Sequence, residues 1–132
     1  MLAVALEQAE HDITAWKWVV IGTHSALQGA IACHLRGAGN RLLVAKRKDA
    51  ETWIKALDQG TARPEMMMDW FPNLYDKLKD VAIDGFKFAP QGNQGGSITL
   101  INQYRNDFVH FMVDGLSIEV SGLPEMCRIA WT

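Results

Sequence analysis

The run DITAWKWVVIGTHSALQGAIACHLR, residues 12–36, decides the fold class. Trp16, Val20, His24, Leu27, Ile31 and His34 recur at steps of four and three, the spacing that sets side chains on one face of an α-helix. Asp12 precedes that stripe as an N-cap, and the predicted helix continues for roughly six turns to Arg36. Ile13, Trp18, Ile21 and Ala32 are apolar residues on the opposite side. A helix apolar on most sides is expected to be buried on most sides, in a bundle centre or against a second subunit. Thr23, His24, Ser25 and Gln28 interrupt the apolar run, which argues against a membrane span.

Working outward, residues 2–10 read as a leading helix or as the first turns of the long one, and Gly37-Ala38-Gly39-Asn40 ends the long one with residues that tolerate left-handed backbone. Asp49 to Leu57 reads as a short helix closed by Gly60. A further helical stretch is predicted from Pro64 to Leu78, broken or kinked at Pro72. Within it Met66, Met67 and Met68, with Trp70 and Phe71, are expected to be core. Residues 80–97 are loop-like and include Asp84-Gly85; Ser97 then caps a helix running to about Met112. A short extended segment is expected over 116–120, and Pro124 opens a last helix toward Thr132. The sum is an all-α, four- to five-helix up-and-down bundle filling residues 1–132 as a single domain.

Composition narrows the function classes. The 132 residues are 48% apolar and 21% charged, an ordinary globular balance rather than a disordered one. Thirteen cations against 15 acids give a net charge of −2, so a polycation that coats nucleic acid or anionic membrane is excluded. Five of those cations, Arg36, Arg41, Lys46, Arg47 and Lys48, fall in one stretch without an acid, which reads as a solvated loop or, functionally, as a local patch for steering phosphate. Cys33 and Cys127 are too few for a disulfide scaffold, and Glu7 interrupts the N-terminal apolar run before any leader is complete. A reducing, cytoplasmic location is therefore expected. Glu7 and His11 lie one turn apart but lack a third ligand, so no metal site and no cofactor are expected.

Chemistry concentrates in Ile101 to Phe111. At about 100° per residue, Thr99, Gln103, Asn106 and His110 form a polar stripe, while Ile98, Ile101, Phe108 and Met112 form the apolar side. A histidine among amides exchanges protons near neutral pH, and the planar fork of Arg105 suits phosphate oxygens. Arg105 and His110 lie roughly 140° apart on an ideal helix, so a two-fold dimer that joins two copies of the helix is one way to complete the site. His24 and His34, on the long helix, are expected to be core or interface histidines.

The sequence Arg105-Asn106-Asp107-Phe108-Val109-His110 resembles the motif of HEPN domains, an Arg and a polar residue followed by a His. A long apolar helix near the start with the motif on a late helix is similar to the same family. The resemblance implies a homodimeric or partner-bound bundle whose motifs face each other across a cleft. It also implies a metal-independent endoribonuclease of toxin or RNA-defence type, with a cognate antitoxin as a further partner. There the RNA 2′-hydroxyl attacks its own phosphate and leaves a 2′,3′-cyclic phosphate. By the same resemblance His110 would be the general acid/base, Arg105 the electrostatic clamp and Asn106 the orienting group. Arg36, Arg41, Lys46 and Gln103 are the accompanying candidates for substrate binding. Met112 stands where some HEPN toxins carry a modifiable Tyr, so regulation by that route is not expected. The alternative is a non-catalytic HEPN-like module that binds a nucleotide, RNA or a protein.

Overall fold

The computed structural model describes residues 2–9, 11–37, 40–110 and 122–131. It is 72% helical with one two-stranded sheet, which settles the all-α class. The chain divides into two compact units, Met1–Gln28 with Pro90–Thr132, and Gly29–Ala89.

In the first unit, helix α1 (Leu2–Ala9) is followed by a 3-10 turn, Ile13–Ala15, that leads into α2 (Trp16–Gly37), whose residues up to Gln28 belong to this unit and whose later residues belong to the second. Asp12 caps that turn: its Oδ1 accepts from the Thr14 N–H at 2.9 Å and the Thr14 hydroxyl at 2.7 Å. α1 comes close to α2 at Gly22, where a Cβ would lie 3.0 Å from Leu2 Cδ1. Helices α5 (Gln94–His110) and α6 (Leu123–Trp131) pack on each other. Leu123, Met126, Cys127 and Ala130 are buried at steps of three and one, one face of α6, and Ile98 and Ile101 are buried on α5. Fully burying a side chain such as Ile101 stabilises by about 1.5–3 kcal/mol.

The long helix is one-sided rather than buried all round. Val20, His24, Leu27 and Ile31 are buried as the stripe predicts, joined by Val19, Thr23 and Leu35, whereas Trp18 is 52% exposed. Apolar character on the second side did not recruit a covering layer among the described residues; Lys17 instead places its ammonium 4.8 Å from the Trp18 ring centre.

The second unit contains α3 (Arg47–Asp58) and α4 (Phe71–Asp80). α3 ends in a paired cap: Gly60, at φ 66°, donates to Leu57 O, and Thr61 N–H reaches Ala56 O. Glycine reaches that left-handed angle without the Cβ penalty. The helix expected from Pro64 is corrected in two ways. Residues 64–70 are extended, with Met68 bridged to Ala45, and Pro72 lies in the first turn of α4 instead of kinking it. Proline is favoured there because a first-turn N–H has no helical acceptor. Met67, Met68 and Trp70 are exposed, not core as expected, since an extended strand cannot turn all three inward; Phe71 alone of the aromatic pair is buried.

Asp69 fastens this unit. Its carboxylate accepts from Trp70 N–H, the Asn73 amide at 2.9 Å and the Lys77 ammonium at 2.7 Å, and Lys77 also donates to Ala45 O. Burial alone pushes the Asp69 carboxyl up; the bonds from Lys77, Asn73 and Trp70 and the Lys77 charge outweigh it and hold it below the usual value.

The loop expected over 80–97 contains strands β1 (Ala82–Ile83) and β2 (Phe86–Lys87), an antiparallel hairpin turned by Asp84 and Gly85. Both turn residues have positive φ, which suits the twist of a two-residue hairpin. α5 starts at Gln94, so Ser97 is buried inside it and Asn93 precedes its first residue. The count is six α-helices among the described residues, against the four or five expected for the bundle. The expected extended segment at 116–120 and the helix beyond His110 lie outside the described residues.

Candidate functional site

α5 packs on α6, buries Gln94, Ser97, Ile98 and Ile101, and carries the motif on its later turns. Ile98 and Ile101 are buried, Gln103 and His110 are exposed, and Arg105 and Asn106 are half-buried. The polar stripe therefore runs along the helix surface as the 3.6-residue period predicts. Arg105 Nη1 donates to Asn106 Oδ1 at 2.9 Å. Among the described residues Arg105 makes no ion pair, so its charge is oriented but not neutralised. His110 is exposed and is the last described residue of this helix.

The buried end of the same polar line was not legible as part of the site. His24, on α2, is 3% exposed, and its Nε2 donates to Asn102 Oδ1 at 3.2 Å. Asn102, Asn106 and His110 follow one another at steps of four, a row that drifts about 40° per step. Burial depresses the His24 pKa most strongly; the Asn102 bond opposes this, and the positive charge of Arg105 adds to the depression. His24 is thus a neutral donor beside the row, and Arg105 acts on it electrostatically. The expectation of a core histidine holds, with a polar partner that spacing alone did not identify.

The expected substrate-binding residues, Gln103 and the cations Arg36, Arg41 and Lys46, fall in both units. Gln103 belongs to the first unit with the motif, whereas Arg36, Arg41 and Lys46 belong to the second. Arg36 and Arg41 line a groove of about 560 Å³ together with Trp53, Arg63 and Met66–Met68. Lys46 is turned elsewhere, its ammonium 5.1 Å from the Trp70 ring centre. Arg63 and Trp53 complete the groove, and sequence spacing gave no reason to join them to Arg36 and Arg41.

Among the described residues no set of three or more His, Cys, Asp or Glu side chains is arranged to hold a metal ion. No described helix is long and apolar enough to cross a membrane. Comparisons with protein-family models, with curated proteins and with solved structures gave no match, so the site is interpreted from its own residues.

Proposed function

We propose that the chain is a HEPN-like, metal-independent endoribonuclease, acting in the cytoplasm as a homodimer with a composite site. The observation that supports this most is Arg105. Its guanidinium is held by Asn106, is left without a carboxylate partner among the described residues, and shares a helix with the exposed His110. A fixed guanidinium can stabilise the charge of a pentacoordinate phosphate, and an imidazole can serve as general acid and base. In the reaction the RNA 2′-oxygen forms a bond to its own phosphorus and the P–O5′ bond breaks. His110 of one copy takes the 2′-hydroxyl proton, and His110 of the partner gives a proton to the departing 5′-oxygen. Arg105 binds the non-bridging oxygens, and Asn106 keeps the guanidinium aimed. RNA supplies its own nucleophile, so the step requires neither metal nor covalent enzyme intermediate.

The test is RNA cleavage by wild type, His110→Ala and Arg105→Gln with a chelator present. Wild type is expected to release fragments with 2′,3′-cyclic phosphate ends, and each variant to lose at least a hundredfold in rate. Intact RNA after incubation with wild type at high concentration would refute the proposal. A second reading draws on the same Arg105–Asn106 bond: a half-buried, fixed guanidinium also suits a non-catalytic nucleotide- or RNA-binding module. Binding of RNA without cleavage, lost in Arg105→Gln and kept in His110→Ala, is the result that selects it.

A further inference from the structure

The groove in the Gly29–Ala89 unit carries its own chemistry, independent of the motif on α5. Arg41 and Arg63 both place their guanidinium carbons over the Trp53 ring, at 5.1 and 5.4 Å from its centre. A guanidinium held over an aromatic face by cation–π attraction keeps N–H groups with which to donate. Arg36 lines the same groove, and none of the three forms an ion pair among the described residues. Glu65 is the one acid in the lining, so the cations outnumber it three to one. The nearby Asp49 is already engaged, its Oδ2 accepting from Met67 N–H at 3.0 Å.

The remaining wall is apolar. Met66, Met67 and Met68 are brought to the groove by the extended segment, which is tied down by Lys46 N–H to Met67 O and Asp69 N–H to Val44 O, each 2.9 Å. Thioether side chains adapt to an apolar surface without demanding one shape. A volume of about 560 Å³ falls within the range of small-molecule sites.

We propose that this groove binds a small phosphomonoester with an apolar body, the dianionic phosphate held by Arg36, Arg41 and Arg63 and the body lying against Trp53 and the methionines. The excess of two positive charges in the lining matches the dianion. The Trp53 ring fixes two guanidinium forks in place before the ligand arrives, which reduces the side-chain ordering that binding must supply. A phosphate oxygen suits those forks better than a compact monovalent anion, because guanidinium pairs with it through two parallel N–H donors.

1-Naphthyl phosphate is a suitable probe, titrated into the full chain by calorimetry beside inorganic phosphate and 1-naphthol. Saturable one-to-one binding of the ester is expected, with inorganic phosphate and naphthol each at least tenfold weaker. Arg63→Gln and Arg41→Gln, both at exposed positions, are expected to weaken it at least tenfold with the thermal melt unchanged. His110→Ala should bind as wild type does, which separates failure here from failure of the nuclease proposal. The proposal is overturned if the ester does not bind at millimolar concentration, if inorganic phosphate binds equally well, or if folded Arg41→Gln and Arg63→Gln variants bind with wild-type affinity.

Discussion

Replacing Asp69 by alanine removes three hydrogen bonds at once and leaves the Lys77 ammonium with only the Ala45 carbonyl. The Asp69 side chain is 6% exposed and that of Lys77 26%. Breaking a buried pair from one side costs about 3–5 kcal/mol, because the surviving charge is stranded. Lys77 is partly hydrated already, so the loss should fall at the low end, about 3 kcal/mol. For a chain of this length that corresponds to a melting temperature lower by about 10 °C. Urea unfolding at pH 7, followed by far-ultraviolet circular dichroism, measures the difference directly. Adding Lys77→Met to Asp69→Ala should recover part of it by removing the stranded charge. The acid limb provides a second check. Asp69 titrates below its unfolded value of about 3.9, so its stabilisation is complete above that pH and disappears as pH falls through the lower folded value. The gap between wild type and Asp69→Asn should therefore begin to close as pH falls below about 4 and vanish once the lower folded value is passed. An Asp69→Ala variant within about 0.5 kcal/mol of wild type at pH 7 would refute the reasoning.

Two further outcomes are expected. His24 has a depressed folded pKa, so the unfolded chain binds its proton first and stability should fall as pH drops below about 6.5, levelling off once the folded value is passed; His24→Gln should flatten that segment of the urea midpoint–pH curve, and a variant with the wild-type slope would contradict the assignment. Tyr75 carries a buried hydroxyl with no hydrogen-bond partner among the described residues, so Tyr75→Phe should be neutral or stabilising by about 1 kcal/mol in the same urea assay, and a loss of more than that would mean the hydroxyl is satisfied.

What the sequence revealed follows from the range over which each signal acts. Helix α2, α5 and the last helix were legible because burial at Val20, His24, Leu27 and Ile31, and at Ile98 and Ile101, repeats with the helical period. The polar row at Gln103, Asn106 and His110 was legible for the same reason. Pro72 was misread because proline breaks a helix in its interior and favours its first turn, and the choice depended on where α4 begins. Met66 to Met68 met a helical template equally well, but the bonds that hold them extended come from Val44 and Lys46, some 20 residues upstream. His24 and Asn102 are 78 positions apart, and Arg41 and Arg63 meet through a third residue, Trp53. No local period encodes such pairings. Asp69, Asn73 and Lys77, by contrast, stand at steps of four, a signal that was present in the chain before the fold was known.

The extended segment has a consequence for how the protein stays in solution. Met66 to Met68 is a short apolar run that bridges Ala45 through one position, and such a strand offers its remaining backbone groups to any neighbouring chain. Pro64 and Pro72 flank it, and neither has an N–H with which to extend a ladder. Glu65 adds an exposed carboxylate beside the first proline. The segment is thus long enough to form one wall of a groove and too short, and too closely guarded at both ends, to seed a sheet between molecules.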